Sequence, residues 1–430
     1  MKEKMSKNVT TLEALAIVVG MIIGSGIFLK PGTVLASAGS PLMALLAWIA
    51  GGVITLASAL SIAELASAIP KSGGLYTYLE EVYGEIWGFL LGWVQTIISY
   101  PASIAAQTIA FATYANVFFP MSQTAQTLLA IGVLAFLLIM NVLSTKYGGI
   151  IQTAATFGKL VPVVGIIVFG LTYSGPLHFE AVSAVTATGF GAAILGTLWA
   201  YDGWIGVTNM AGELKNPKKL PQVISVGIIF VIIVYAVFNL AMFKVLPSET
   251  LASSATPGVE AAAAIFGNSG GMFITLGIMI SVFGSLNGYL MTSARVPLSM
   301  GEKRMLPFAK TFGAIHPKYN TPANSLIMQS VLAVAYILSG SFNMLTDILV
   351  FVIWIFFTMG VIGVFVMRKK HPELQGDYKV PLYPIVPIVG AAGSLYILIS
   401  TVISSPVNSI IGIAITAVGI PVFYALKKKK

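Results

Sequence analysis

Long runs of apolar residues, separated by short polar breaks, repeat along the whole of this chain. A helix needs about 20 apolar residues to cross a hydrocarbon core of roughly 30 Å. Runs of about that length or longer occupy residues 12–37, 41–69, 85–118, 123–144, 149–173, 188–212, 222–246, 271–299, 323–340, 344–367, 383–404 and 407–426. We number these runs segments 1 to 12. They predict an all-α polytopic membrane protein with twelve transmembrane helices.

The composition excludes an ordinary soluble domain. Of the 430 residues, 57% are hydrophobic and only 9% are charged, whereas soluble domains carry about 25% charged residues. The same abundance of apolar surface argues against intrinsic disorder. The chain has no cysteine, so neither a disulfide nor a thiolate metal site is possible.

The sequence gives little support for enzymatic activity. His178, His316 and His371 lie in separate predicted loops, which is too scattered for a metal site. No pairing of nucleophile and base and no phosphate-binding loop stands out. We therefore predict no catalytic residues, no metal and no cofactor.

The positive charges follow the alternation of the loops. The net charge of +9 would suggest a nucleic-acid partner in a soluble protein, but here 21 of the 24 basic residues fall in the two tails or in even-numbered loops. Lys30, Lys159 and Lys244 are the exceptions. The positive-inside rule then predicts a multi-pass protein of the plasma membrane with both termini in the cytoplasm and no nucleic-acid partner.

Two segments contain residues that favour an interrupted helix. Segment 1 reads Gly20-Met21-Ile22-Ile23-Gly24-Ser25-Gly26, and glycine costs roughly 1 kcal/mol relative to alanine in a helix interior. Close helix packing through the Gly20 and Gly24 pair is the alternative. Segment 6 places Asp202 beside Gly203 at comparable depth.

The spacing of these two segments indicates a function for the interruptions. Segments 1 and 6 are five spans apart. Because five is odd, the half of the protein that begins with segment 6 is inverted in the membrane relative to the half that begins with segment 1. Paired breaks in two inverted halves indicate a transporter binding site. An unwound turn exposes carbonyls of one half-helix and amides of the next. The amides favour a carboxylate and the carbonyls an ammonium. Two crossed breaks therefore suit a zwitterion.

Three stretches carry a resemblance to a known family: Gly24-Ser25-Gly26, the sequence IPKSGGLYTY at 69–78, and WAYDGW at 199–204. At these residues the chain resembles the amino acid, polyamine and organocation superfamily and, within it, the L-type amino acid transporter family. It looks closest to bacterial exchangers of the alanine, serine and cysteine type. The resemblance implies a LeuT-type fold with inverted repeats at 12–173 and 188–367 and accessory helices at 383–426. The positive-inside rule places the tails at 1–11 and 427–430 in the cytoplasm.

The resemblance also implies roles for individual residues. Ser25, Gly26 and Ile27 would offer amides or a hydroxyl to the substrate carboxylate. Around the amino group we expect Ile22, Ile23, Trp199, Ala200 and Asp202, with Gly24 and Tyr201 completing the candidate site. Trp199 matches an aromatic that caps the substrate, although a packed core role is the alternative. Asp202 is similar to the acidic residue of members that carry cationic as well as neutral amino acids; alternatively, it pairs with an unwound amide.

Lys159 lies about ten residues into segment 5, which places it some 15 Å deep at a rise of about 1.5 Å per residue. A lysine at that depth needs a specific acceptor unless it snorkels. In the family this position matches a lysine that replaces sodium, with Gly20, Met21, Ser281 and Ser285 as expected partners. We therefore predict sodium-independent transport.

The predicted function is exchange of small neutral L-amino acids such as alanine, serine and cysteine by alternating access. A proton-coupled symporter and an exchanger of cationic amino acids or polyamines are the alternatives. Mammalian relatives bind an accessory subunit through a cysteine in the loop after segment 3, but Phe119-Pro120-Met121-Ser122 has none. The expected partners are thus an amino acid and the lipid bilayer, without a disulfide-linked accessory subunit.

Overall fold

The computed structural model describes residues 10–69, 74–143, 158–205, 216, 219–374 and 376–428. Every regular element within these ranges is a helix. In chain order the helices are α1 (Thr11–Ile22), α2 (Gly26–Ala38), α3 (Pro41–Ala68), α4 (Leu75–Tyr83), α5 (Glu85–Val94), a π-helical turn (Gln95–Ser99), α6 (Tyr100–Phe118), α7 (Gln123–Leu143), α8 (Leu160–Leu171), α9 (Ala187–Ala200), α10 (Leu220–Val245), α11 (Ser248–Ser253), α12 (Pro257–Ser293), α13 (Arg295–Glu302), α14 (Ala309–Phe312), α15 (Ala323–Ser339), α16 (Phe342–Lys370), α17 (Ile385–Ser404) and α18 (Pro406–Lys427).

Most of the predicted segments reappear as long apolar helices. Within the described ranges, eight helical stretches are long and apolar enough to cross a membrane, and they correspond to segments 2, 3, 4, 7, 8, 10, 11 and 12. Segment 9 is the shorter apolar helix α15. Segments 1, 5 and 6 appear as shorter helical pieces. The prediction of an all-α polytopic membrane protein is confirmed.

Several helix ends follow from local sequence. Ser40 accepts a hydrogen bond from the Met43 amide, at 3.4 Å, and Pro41 occupies the first turn, where its missing N–H costs nothing. Thr186 caps α9 in the same way through the Gly189 amide, at 3.0 Å. Hydroxyl caps therefore position the starts of α3 and α9, two helices that flank the centre of the protein.

Segment 8 differs from its prediction. The sequence predicts a span over 271–299, but helical backbone begins at Pro257 and runs to Ser293, with a non-helical Gly267 inside it (φ 70°). Glycine adopts this left-handed backbone at little cost, so the chain bends there and enters the span from an additional helical segment. Hydropathy alone did not identify the less apolar residues before Gly267 as helical.

The third span contains an irregular turn that a neighbouring helix stabilises. The π-helical turn Gln95–Ser99 leaves backbone carbonyls without their usual partners. Gln329 donates to the Thr96 carbonyl and Tyr336 to the Ile97 carbonyl, both at 3.0 Å. Side chains of α15 thus hold the third span in register beside the centre of the bundle.

Charged helix ends meet on one face of the bundle. Arg368, at the end of α16, makes a bidentate ion pair with Glu64 of α3, at 2.7 and 2.8 Å. Lys427, at the end of α18, lies 2.8 Å from Glu85 at the start of α5. These two ion pairs join helix ends that the charge alternation assigns to the cytoplasmic side.

Candidate functional site

The first segment is interrupted at its glycine-rich centre. Helix α1 ends at Ile22, the next three residues are bent, and α2 begins at Gly26. The last bond of the first half-helix runs from the Ile23 amide to the Val19 carbonyl, at 2.9 Å, so the carbonyls that follow lie beyond the helical ladder. The first bonds of α2 start at Phe28 and Leu29. The amides of Gly26 and Ile27 therefore have no partner within their own helix.

The sixth segment also loses its helix where the sequence predicts. Helix α9 ends at Ala200, and 201–205 form a turn in which Gly203 has a φ of 106°. Such a backbone favours glycine. The remainder of the segment as predicted, 206–212, lies outside the described residues. A second half-helix C-terminus thus faces the centre of the protein.

The two interruptions touch each other. A Cβ added to Gly26 would lie 2.6 Å from Ala200 Cα, and one added to Gly203 would lie 3.0 Å from the Met21 carbonyl oxygen. No Cβ fits at Gly26, because real carbon atoms do not approach so closely. At Gly203 the contact would be tighter than usual, and the backbone conformation itself favours glycine. Glycine at these two positions permits the ends of both breaks to meet.

One hydroxyl joins the two broken helices. Tyr235 of α10 lies with its hydroxyl oxygen 3.0 Å from the Ile22 carbonyl and 2.7 Å from the Ala200 carbonyl. A phenol has a single proton to donate, so it satisfies only one of these carbonyls at a time. The pair of carbonyls therefore retains capacity for another donor, such as an ammonium.

Aromatic rings cover one side of the breaks. The Trp199 ring stacks on Tyr289, with centroids 6.2 Å apart, and meets the edge of Phe342 at 6.0 Å. Tyr289 also donates its hydroxyl hydrogen to Asp202, at 2.8 Å. Asp202 is thus held against α12 by a phenol. Its carboxylate also accepts a hydrogen bond from the Gly203 amide in the break, an unwound amide of the kind considered from the sequence.

Three buried polar atoms near the breaks have no hydrogen-bond partner within the described part of the chain: Ser25 Oγ, Trp199 Nε1 and Ser281 Oγ. Buried polar groups are nearly always paired with protein, water or ligand. Ser25 stands at the start of α2 and Trp199 at the end of α9. Their free polar atoms suit a small polar guest between the two half-helices.

Lys159 is buried, with 4% of its surface exposed, and its ammonium donates to the Gly20 carbonyl. Gly158 packs against Ile280, because a Cβ built there would lie 2.7 Å from Ile280 Cγ2. That contact brings the lysine to the part of α12 that carries Ser281. Of the four expected partners, only Gly20 is bonded to the ammonium within the described residues, and Ser285 instead lies beside Gly24.

Sequence reasoning did not identify Tyr235 or Tyr289. Both are phenols within predicted spans, and each has its hydroxyl on a residue of the breaks. A buried hydroxyl in hydrocarbon needs a partner, which is the signal that a sequence reading could have used. Which carbonyl or carboxylate it meets depends on how the helices pack.

Comparison with known proteins identifies the family of this chain. Residues 9–425 match the family described as Amino acid permease. The chain is 44% identical to the serine/threonine exchanger SteT of Bacillus subtilis, over 99% of this chain and 98% of that protein. It is 35% identical to the b(0,+)-type amino acid transporter 1 of Mus musculus (94% and 84%) and 31% identical to the human cystine/glutamate transporter (98% and 86%). This chain therefore belongs to the amino acid permease family of multi-pass membrane transporters, and the prediction of a transporter instead of an enzyme is confirmed.

Proposed function

We propose that this transporter is a sodium-independent exchanger of small neutral L-amino acids, with serine and threonine foremost, and that both termini face the cytoplasm. The proposal rests chiefly on one observation, the contact between two helix ends at the breaks of segments 1 and 6. The preference for serine and threonine follows the printed activity of SteT, to which the chain is similar over nearly its full length. Alanine and cysteine remain candidate substrates of the same size class.

The breaks offer complementary groups to the two poles of an amino acid. The amides of Gly26 and Ile27, with the Ser25 hydroxyl, bind the carboxylate, because a half-helix N-terminus favours negative charge. The carbonyls of Ile22 and Ala200 share one phenol proton and accept the ammonium. Each pole thus meets groups that the helix interruption has left available.

The remaining expected site residues define the space around the bound amino acid. Ile23 and Gly24 form the bent turn of segment 1, Tyr201 follows the end of α9, and Trp199 covers the site with its ring. Trp199 and Tyr201 are both buried, at 4% and 1% exposure. A site enclosed by these residues favours small side chains.

Lys159 makes a sodium ion unnecessary in this proposal. Its ammonium already donates to the Gly20 carbonyl at the end of α1, the kind of oxygen that a bound sodium would take as a ligand. Met21, Ser281 and Ser285 complete the region in which we place this fixed positive charge. A cation supplied by the chain stabilises the half-helix C-terminus without a bound ion.

The same unpaired groups favour exchange over net transport. Without substrate, the amides at the start of α2 and one of the two carbonyls that share the Tyr235 hydroxyl lack a partner, and closing the site around them would bury unsatisfied polar groups at about 1–3 kcal/mol each. A bound amino acid removes that cost. The repeats 12–173 and 188–367 then rock around the filled site and remain reluctant to move around an empty one.

Purified protein in liposomes tests the proposal. Vesicles loaded with unlabelled serine should accumulate labelled serine, empty vesicles should accumulate little, and replacement of sodium by choline should change neither result. Equal uptake into loaded and empty vesicles would exclude an exchanger, and loss of uptake in choline would exclude sodium independence. A panel of unlabelled competitors then ranks serine and threonine against alanine and cysteine.

Asp202 supports a second candidate, in which cationic amino acids are also carried. Its carboxylate lies beside Trp199 at the end of the broken helix and is held by Tyr289. A carboxylate within a membrane span is a reasonable acceptor for a cationic side chain. Arginine should compete with labelled serine if this candidate holds, and absence of competition at a hundredfold excess would eliminate it.

A further inference from the structure

The loop that joins α13 to α15 concentrates positive charge and has no role in transport as described so far. Residues 303–322 contain no aspartate or glutamate and four basic residues, all exposed: Lys303, Arg304, Lys310 and Lys318. Only Lys303 is engaged by an acid, since its ammonium lies 3.7 Å from the Glu80 carboxylate. The other three form no ion pair with an acidic residue in the part of the chain that the structure describes. Their charge is available to a partner.

This loop is fixed to the ends of two spans. Thr321 donates its hydroxyl hydrogen to the Val142 carbonyl, at 2.8 Å, near the end of α7. Ser325 of α15 donates to the Phe312 carbonyl, also at 2.8 Å. Helix α15 has 17 residues, so at about 1.5 Å per residue it is about 26 Å long, slightly shorter than a hydrocarbon core of roughly 30 Å. Its first turn therefore lies at the membrane boundary, and the loop bonded to that turn lies among the lipid headgroups.

Phe308 projects outward from the middle of this loop. Its side chain is 79% exposed, more than any other large apolar side chain in the described part of the chain. Leu306 is buried, so the chain turns from the core to the outside within two residues. Phe308 also has a φ of 56°, a left-handed conformation that is unfavourable for a bulky residue and is found chiefly at functional sites. A ring in this position gains nothing from water, whereas the boundary between headgroups and acyl chains would bury it.

Basic side chains flank the exposed ring on both sides along the chain. Arg304 precedes Phe308 by four residues and Lys310 follows it by two, so their backbones lie within about 14 Å and 7 Å of that of Phe308. These distances are comparable to the Debye length of about 8 Å at physiological ionic strength, so both charges act near the place where the ring would enter. Anionic lipids of the cytoplasmic leaflet attract lysine and arginine, and an aromatic ring beside them inserts below the headgroups. The loop combines both features.

We propose that the loop 303–322 binds anionic phospholipid of the cytoplasmic leaflet, with Phe308 inserted at the boundary of the acyl chains and Arg304 and Lys310 on the lipid phosphates. The choice of leaflet rests on the orientation in the proposed function, but it does not depend on which amino acid is carried. A phosphate accepts two N–H groups of one arginine at once. Because the loop is bonded to α7 and α15, the bound lipid anchors both spans to the inner surface of the membrane.

The absence of cysteine from the sequence permits a single fluorescent label in this loop. Thr311 is exposed, so Thr311→Cys can carry a nitrobenzoxadiazole group three residues from Phe308. In phosphatidylcholine vesicles, quenching by a small fraction of spin-labelled phosphatidylglycerol is compared with quenching by the same fraction of spin-labelled phosphatidylcholine. The anionic lipid should be enriched beside the label by about 30-fold, which corresponds to about 2 kcal/mol, or about 1 kcal/mol for each of Arg304 and Lys310.

Variants of the labelled protein separate the charges from the inserted ring. Arg304→Gln with Lys310→Gln should bring the enrichment close to one, whereas Arg304→Lys with Lys310→Arg keeps both charges and should preserve it. Phe308→Ser should weaken quenching by both lipids, because the loop loses the ring that enters the bilayer. Phe119→Ser is the matched control: Phe119 is 73% exposed in an outer loop, and residues 119–122 contain no basic side chain, so this change should leave the quenching as in the parent.

Equal quenching by the two lipids in the parent, or an unchanged enrichment in the double glutamine variant, would refute the lipid-binding surface. Reaction of Thr311→Cys with a membrane-impermeant maleimide in intact cells would refute its assignment to the cytoplasmic leaflet. Serine exchange is measured separately in the same vesicles. If the anionic lipid is enriched but exchange is absent, the lipid-binding surface stands and the substrate assignment fails; if exchange occurs without enrichment, only the lipid-binding surface fails.

Discussion

Replacing Gly26 with alanine should impair transport by forcing the two helix breaks apart. The added methyl group would lie 2.6 Å from Ala200 Cα and 2.7 Å from Ala200 Cβ. Ordinary carbon contacts are about 3.5–4.0 Å, so α2 and α9 would have to separate by about 1 Å. That displacement acts directly on the amides and carbonyls that bind the two poles of the substrate.

Two opposing energies decide the size of the effect. Overpacking a close contact costs about 1–3 kcal/mol, whereas alanine gains at most about 1 kcal/mol of helix propensity over glycine, and less at the first residue of a helix. The steric cost prevails. A net loss of about 1–2 kcal/mol corresponds to a decrease of about 5- to 30-fold in apparent substrate affinity.

The assay is serine exchange in liposomes, normalised to the amount of folded protein, with the substrate concentration varied. Gly132→Ala is the matched control, because a Cβ at Gly132 meets nothing within 4 Å, and this variant should resemble the parent. Adding Ala200→Gly to Gly26→Ala should restore affinity only in part, since the contact with Ala200 Cα remains. Parental affinity and rate in Gly26→Ala would refute the contact between the breaks as the basis of the site.

Other substitutions test separate parts of the site and its frame. Tyr235→Phe removes the hydroxyl shared by two break carbonyls, and should weaken serine binding by about 3- to 10-fold, at a loss of about 1 kcal/mol; an unchanged affinity would show that the carbonyls do not need it. Asp202→Asn should abolish any competition by arginine while largely preserving serine exchange, and equal losses for both would assign Asp202 a structural role. Glu64→Gln weakens the bidentate ion pair with Arg368 and should lower the free energy of unfolding by about 1–3 kcal/mol. Thermal unfolding in detergent measures that change, and an unaltered midpoint would contradict it.

Glu64 illustrates what a sequence reading misses. Its position near the inner end of segment 2 predicts a structural carboxylate that can reach water. In the structure it is 4% exposed, because Arg368 and the Val380 amide both bind its carboxylate. These partners are more than 300 residues away along the chain, so no local pattern could have indicated them.

The sequence by itself determined that this protein lies in a lipid bilayer, that it is all-helical, and where its first and sixth spans are interrupted. These properties depend on local quantities, namely the length of an apolar run, the side of the basic residues and the weakness of glycine in a helix. The tertiary structure alone decided which free groups face one another. Three side chains show this: Tyr235 lies between two carbonyls, Tyr289 bonds to Asp202, and Lys30 bonds to α16. Each contact joins residues that are distant in sequence. The pairing follows from how helices pack in a medium where every buried polar group must find a partner.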